Sequence, residues 1–381
     1  MWVFNHLLTA MKLLFLIIAS LFLVGNRASA CTSAIVSAKR SSEGVPLLWK
    51  HRDSPFYDTR IEHITDGKYA YTAIVPNTEK YRRGVYAGIN EKGLGVITTA
   101  TYRLPTATPE EWEASPLKYP RKALSWIALR ECATVDEFEE MIRHEKRYRG
   151  YDSNLGIADA TGAVAYFEIW DLGYRRYDVS EREEGFDVRT NFSFVGDPDR
   201  RGSSERRYNL MMKQMEAHSG EFSPQDFIDY SRSYNSVKFG DVLATDNRYI
   251  CQNHTVPRTS SVGSFVMICD GENPRLLVMN GHPVSSLAVP VYVKAGEKIP
   301  MCVHTNVMQR LSNDFKAKAY MKVGEKKSRL NKEVVRKVLK IKHPRIEMPA
   351  TMPADIDAYN RKIDKLYAKR ERLVRKALAK F

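Results

Sequence analysis

An antiparallel α+β fold follows from the order in which hydrophobic periods change along the chain. Residues 32–101 read as strands joined by tight turns, and residues 108–148 shift to helical spacing. Strands return at residue 155 without the regular βαβ alternation that a doubly wound parallel sheet requires.

Taken in order, Thr32 to Ala38 is apolar and β-branched, Ser41-Ser42-Glu43-Gly44 has turn chemistry, and Val45 to Trp49 resumes the strand pattern. Tyr69 to Val75 and Val85 to Ile89 are the next strands, and Asn90-Glu91-Lys92-Gly93 turns tightly into Leu94 to Thr101. Leu124, Ile127 and Ala128 have helical spacing, and Thr134 is placed to cap a helix that carries Phe138 and Met141. Leu155 to Ala158 and Val164 to Ile169 are strands around the turn Asp159-Ala160-Thr161-Gly162. Helices follow from Ser204 to about Ala217 and from Pro224 to Ser231, the latter capped by Ser223. Val262 to Cys269, Arg275 to Met279 and Ala288 to Val293 close the body as strands.

The segment ahead of Cys31 reads as a secretory signal. Met11-Lys12 supplies a positive start, Leu13 to Val24 an apolar run, and Ala28-Ser29-Ala30 the small residues of a cleavage site. The run is too short for a membrane-spanning helix, which needs about 20 residues. Residues 1–30 are therefore expected to be removed, with Met11 a second candidate start, and the product to be secreted or periplasmic. Cys31 would then be the amino terminus, combining a thiol of pKa ~8.5 with an α-amine of pKa ~7.7 to 8.0 that can take its proton. On the leader alone, Cys31 is a nucleophile, a disulfide cysteine or a lipid-modified cysteine; a lipoprotein signal usually has leucine where Ala28 stands.

The net charge of +14 does not mark a nucleic-acid binder. Residues 316–381 hold 21 Lys/Arg against 7 Asp/Glu, whereas residues 1–315 hold 38 of each sign. Beyond Cys31, the cysteines Cys132, Cys251, Cys269 and Cys302 show no C-x-x-C spacing and allow zero, one or two bridges. There is no G-x-S-x-G elbow and no phosphate loop, and His144-Glu145 has Tyr148 where a zinc-binding helix needs its second histidine. No metal or cofactor is expected.

What remains is a constellation in a fixed order: Cys31-Thr32-Ser33; Leu47-Leu48-Trp49-Lys50-His51-Arg52-Asp53; Asn90-Glu91-Lys92-Gly93-Leu94-Gly95-Val96; Thr190-Asn191; and Ser203-Ser204-Glu205-Arg206-Arg207-Tyr208. It resembles the N-terminal-nucleophile cysteine amidohydrolases, within them the choloylglycine hydrolases, penicillin V acylases and acyl-coenzyme A:6-aminopenicillanic acid acyltransferases. The resemblance spans roughly residues 31–300. It implies a four-layer αββα sandwich of two antiparallel sheets flanked by helices, and hydrolysis of a linear amide in a small N-acyl compound through an acyl-thioester. It casts Cys31 as nucleophile, Asp53 as the acid that orients the α-amine, Asn191 as the oxyanion donor and Arg207 as the cation near the thiol.

Two departures matter. Choloylglycine hydrolases carry arginine three residues before the aspartate, where Lys50 stands here, and Arg52 adjoins Asp53, so which cation serves the nucleophile stays open. Those enzymes also place an asparagine near Ala100, so a second oxyanion donor would have to be a backbone N–H of Thr98 to Thr101. Asn191-Phe192-Ser193 fits a glycosylation sequon too. An acyltransferase or a dipeptidase of the same superfamily is the alternative among enzymes, and a lipid-anchored surface binding protein the alternative outside them.

The hydrolase domain is expected over residues 31–345. Pro344, Pro349 and Pro353 mark a linker, and residues 346–381 end in a basic helix from Asp355 to Phe381 with an apolar stripe of Ile356, Tyr359, Ile363, Leu366, Leu373 and Ala377 with neighbouring Val374 and Leu378. That stripe fits docking on the body, pairing with a second subunit, or contact with a membrane surface.

Overall fold

The computed structural model describes residues 30–54, 58–77, 84–114, 124–143, 153–171, 173–196, 202–235, 250–252, 255–322 and 328–381. The signal-peptide reading, except for Ala30, and the His144-Glu145 segment lie outside the described residues.

Two antiparallel sheets carry the fold. One contains β1 (Thr32–Val36), β2 (Leu47–Asp53), β10 (Phe186–Arg189), β11 (Ser261–Ile268), β12 (Arg275–Met279) and β13 (Val289–Tyr292), in the order β10-β1-β2-β11-β12-β13. The other runs in sequence order through β3 (Thr59–Ile64), β4 (Tyr71–Pro76), β5 (Ala87–Asn90), β6 (Gly95–Ala100), β7 (Ser153–Ala158), β8 (Val164–Trp170) and β9 (Gly173–Asp178). The helices are α1 (Pro109–Glu113), α2 (Leu124–Glu131), α3 (Val135–Arg143), α4 (Gly202–Glu216), α5 (Pro224–Arg232), α6 (Met301–His304), α7 (Val307–Ala319), α8 (Lys332–Leu339) and α9 (Ile356–Leu378). A short hairpin of β14 (Tyr320–Lys322) and β15 (Ser328–Leu330) completes the chain.

Alternation along each strand sorts its side chains into layers. Ile35, Leu48, Phe265 and Val278 from the first sheet meet Ile74, Ile89, Ile97 and Tyr166 from the second in one shared core. The other face of the first sheet, with Ala34, Trp49 and Val266, packs on Met211 and Met215 of α4 and Phe227 and Ile228 of α5. The other face of the second sheet, with Val75, Val96 and Phe167, packs on Leu129 of α2 and Phe138 and Ile142 of α3. The result is the four-layer αββα sandwich that the sequence resemblance implies. Because both faces of the first sheet are covered, its central strands β1, β2 and β11 are buried from end to end.

The local signals are met in detail. Thr134 Oγ1 accepts from the backbone of Glu137, and Ser223 forms a full capping box with Asp226. In the β5–β6 turn Gly93 takes a φ of +83°, and Asn90 accepts from Lys92 and Leu94 while donating to Leu129 and Cys132 at the end of α2. No disulfide joins any of the five cysteines.

The strands β3, β9, β10, β14 and β15 and the helices α6 to α8 are additions to the sequence reading. β9 reads Gly-Tyr-Arg-Arg-Tyr-Asp, a polar edge strand with no apolar face to give it a period. α7, α8 and α9 extend the shared core through Phe315, Val334, Ile363 and Tyr367. The proline-bearing segment before α9 lies on the body, with Tyr292 donating to the carbonyl of Pro349.

The sheets approach closely at Gly156 on β7, where an added Cβ would sit 2.7 Å from Ile97, 2.9 Å from Tyr166 and 3.0 Å from Ile35 of the opposite sheet. Gly156→Val is expected to destabilise the protein by about 1–3 kcal/mol or more through overpacking, read as a lower urea midpoint with an unchanged slope.

Candidate active site

Cys31 immediately precedes β1, and pairing of Thr32 with His51 and of Ser33 with Lys50 sets it beside the end of β2. Ser33 points between the sheets, where its hydroxyl meets Thr99 Oγ1 at 2.8 Å and Tyr166 Oη at 2.9 Å. Cys31, two residues earlier, shares that face. Cys31 is 3% exposed, its Sγ donates to the backbone oxygen of Asp53 at 3.8 Å, and the Lys50 ammonium lies within electrostatic reach of it. Lys50 donates to the carbonyl of Thr98. Burial holds the Lys50 ammonium below its ordinary pKa, against the opposing pull of Cys31 and Asp53.

Arg207 joins this corner to the rest of the site. From α4 its guanidinium donates to the carbonyl of Cys31, to Thr32 Oγ1 at 2.9 Å, to Asn191 Oδ1 at 3.0 Å and to Ser204 Oγ at 3.3 Å. It is fully buried, and burial pushes its pKa down to about 9, with nearby Arg258 adding to the effect and Asp53 opposing it. Since Arg207 occupies the oxygen of the Asn191 amide, the nitrogen must face the other way, and it donates one of its two hydrogens to the carbonyl of Ala100 at 2.7 Å. Asn191 sits just after β10, in a loop steadied by Thr190 Oγ1 donating to Ser204 and by the buried Glu168, which accepts from the backbone of Phe194. At 3% exposure and with both ends of its amide engaged, Asn191 has no room for a glycan.

Asp53 lies on the helix side of the sheet, on the opposite face of β2 from Lys50 and Arg52. Its Oδ1 accepts from Ser261 Oγ at 2.7 Å and lies 3.3 Å from His51 Nε2, and its Oδ2 lies 3.3 Å from Arg258 Nε. Ser261 in turn accepts from the backbone N–H of Arg258 at 2.9 Å and touches His51 Nε2 at 2.9 Å. With the serine hydrogen directed to Asp53, His51 must carry its proton on Nε2. Burial alone would raise the Asp53 pKa, but His51, Arg258 and Arg207 together hold it below the usual carboxylate value. Ser261, His51 and Asp53 have the composition of a hydrolase triad but not its form: all three are closed to solvent and the serine donates to the acid.

The structure thus brings Cys31, Asp53, Asn191 and Arg207 into one cluster. Arg52 lies apart from the carboxylate beside it in sequence, stacked over the Tyr86 ring at 4.0 Å. Sequence reasoning missed Ser261 and Arg258, which no local motif marks, and Lys316 on α7, whose pKa burial pushes down to about 8 and which lies within electrostatic reach of Asp53 and Arg52. It also missed the hydroxyl of Thr101, buried and without a hydrogen-bond partner among the described residues. Among these residues no group of three or more His, Cys, Asp or Glu is placed to hold a metal ion. A cavity of about 600 Å³ lies elsewhere, lined by Asp229, Arg232, Leu277, His343 and Met348 on the helix side of the first sheet.

No family model matches the chain, and no curated protein matches it. Among solved structures it is similar to conjugated bile acid hydrolase from Clostridium perfringens, at 12% identity over 69% of this chain and 93% of that one with a TM-score of 0.43. It is also similar to the Caenorhabditis elegans ortholog of N-acylethanolamine-hydrolyzing acid amidase, at 16% identity over 62% and 92% with a TM-score of 0.39. Penicillin V acylase from Agrobacterium tumefaciens aligns at 12% identity over 69% and 86% with a TM-score of 0.40. Likeness of this degree says nothing of the chemistry at Cys31.

A carboxylate whose folded pKa is depressed stabilises the fold above its unfolded pKa, and that contribution disappears as pH falls through the folded value. Asp53→Asn is therefore expected to flatten the acid side of the stability curve below about pH 4, as read from urea midpoints. An unchanged acid side in a folded variant would show that Asp53 carries no such linkage.

Proposed function

We propose that this chain is an exported hydrolase of linear amide bonds in small N-acyl compounds, active once cleavage after Ala30 makes Cys31 the amino terminus. The observation that carries the reading is the single buried guanidinium of Arg207, which bonds both the carbonyl of Cys31 and the amide oxygen of Asn191. A nucleophile and an electrophile-binding amide tied to one rigid fork have the fixed separation that acyl transfer needs.

In this reading the freed α-amine of Cys31 takes the thiol proton, and the thiolate attacks the amide carbon. The negative charge that develops on the carbonyl oxygen is met by the second hydrogen of Asn191 Nδ2, with the hydroxyl of Thr101 as a further donor. The C–N bond breaks as the ammonium returns its proton to the leaving amine, and water then hydrolyses the thioester through the same amine. Asp53 holds the ammonium form during turnover, itself held by Ser261, His51 and Arg258. Lys50, within electrostatic reach of Cys31, is the cation that favours the thiolate, and Arg207 serves by position. The lipid-anchored alternative needs the Cys31 thiol outside the fold, and its burial between the sheets speaks against that.

Cys31→Ala is expected to abolish amide hydrolysis with an unchanged melting temperature, assayed on N-acyl amino acids, bile-salt conjugates, β-lactams and dipeptides. More than a few per cent of residual activity would sink the mechanism. Protein retaining its leader should be inactive, since the Cys31 nitrogen is then an amide; mass spectrometry of the amino terminus, paired with the assay, separates the two forms. Asn191→Ala should lower turnover about 100-fold to 1,000-fold with little change in KM, whereas an effect within about threefold would remove Asn191 from the chemistry.

A further inference from the structure

Most exposed cations of α9 share one side of the helix, while Arg370 is buried on the carbonyls of Val284 and Ser285 and Arg375 pairs with Asp314 and Glu371. Lys362, Lys365, Lys369, Arg372, Lys376 and Lys380 are all exposed. At 100° per residue the five within the helix fall within about 80° of arc and extend over roughly 21 Å of axis at 1.5 Å per residue, with Lys380 in the turn just beyond. None of them forms an ion pair among the described residues.

The acids of the helix lie outside this arc and have local work. Asp355 caps Ala358, Asp357 pairs with Lys298 at 2.7 Å, Asp364 accepts from the backbone of Cys302 at 2.9 Å, and Glu371 pairs with Arg375 at 2.8 Å. The apolar stripe, with Ile363, Tyr367, Val374 and Leu378, is buried against the body on the opposite side of the helix. It is therefore not available to insert into a bilayer or to pair with a second copy. What faces outward is a straight row of unneutralised positive charge, bordered by Leu373 at 45% exposure and ending at Phe381 at 42%.

We infer that this face of α9 docks the protein on an anionic lipid bilayer. A flat array of lipid phosphates matches a straight row of cations, each such cation contributing favourably close to the surface. The exposed Leu373 and Phe381 distinguish a membrane from a nucleic acid, because headgroup-level hydrocarbon buries an apolar side chain and a phosphate backbone does not. With the main apolar stripe already buried, attachment is peripheral and electrostatic, and salt reverses it.

The test is sedimentation of the mature full-length chain with vesicles of phosphatidylglycerol and phosphatidylcholine, about 1:3, against pure phosphatidylcholine. The wild type should pellet only with the anionic vesicles and be released at about 1 M salt, where the Debye length falls to about 3 Å. The triple variant Lys365→Glu, Lys369→Glu, Arg372→Glu should keep its melting temperature and lose about 100-fold or more in partitioning. Leu373→Ser should weaken vesicle binding while leaving the helix folded. Failure of the wild type to pellet at low salt, equal binding by the triple variant, or tight binding to duplex DNA without vesicle binding would each overturn the inference.

Discussion

Arg207 carries a positive charge and five N–H donors into a place that water does not reach, and a buried charge without partners would cost several kcal/mol. The fold answers with the Cys31 carbonyl, the Thr32 hydroxyl, the Asn191 amide oxygen and the Ser204 hydroxyl, drawn from the start of β1, the loop after β10 and the arginine's own helix. Because guanidinium is planar and its donors form a fixed fork, these acceptors cannot move independently. The orientation of the Asn191 nitrogen is a direct result, since its oxygen has only one place to go. Meeting that demand brings together the groups that the proposed chemistry uses.

A second constraint acts along β2. Lys50, His51, Arg52 and Asp53 are four successive polar residues near the middle of a sheet, none more than 3% exposed. The pleat divides them. Lys50 and Arg52 enter the space between the sheets, toward Thr98 and Tyr86, and His51 and Asp53 face Ser261 and Arg258 on the other side. Adjacent residues are thereby insulated from one another, so Arg52 does not neutralise Asp53 despite their adjacency. A strand chosen only for stability would carry apolar residues here, as β2 does at Leu47 to Trp49.

The C-terminal helices bear on both matters. α7 contributes to the shared core and carries Lys316 within electrostatic reach of Asp53, so the part of the chain beyond the resemblance reaches the site's electrostatic surroundings. α9 covers the outside of this group with its apolar stripe, which leaves its charged side outward. The neutral body and basic tail that composition separates are therefore packed as one unit through that stripe, while their charges remain on different surfaces.

Hydrophobic period, turn residues and caps are local properties, and they placed the hairpins β1–β2, β4–β5 and β5–β6, the capped starts at Thr134 and Ser223 and the final helix. The order of short motifs likewise singled out Cys31, Asp53, Asn191 and Arg207, because each sits in a run of residues with its own character. The polar edge strand β9 had no period to read, and its place follows only from pairing with β8. Ser261 and Arg258 were illegible for a different reason: Ser261 reaches Asp53 across 208 residues of sequence, and only the placing of β11 beside β2 brings them into contact. Which face each residue of β2 occupies, what Lys50 and Arg52 each face and which atom of Asn191 points inward were likewise decided by tertiary structure. Those outcomes depend on pairing register and on competition for a limited number of buried acceptors, and neither quantity exists in the chain until the sheets have formed.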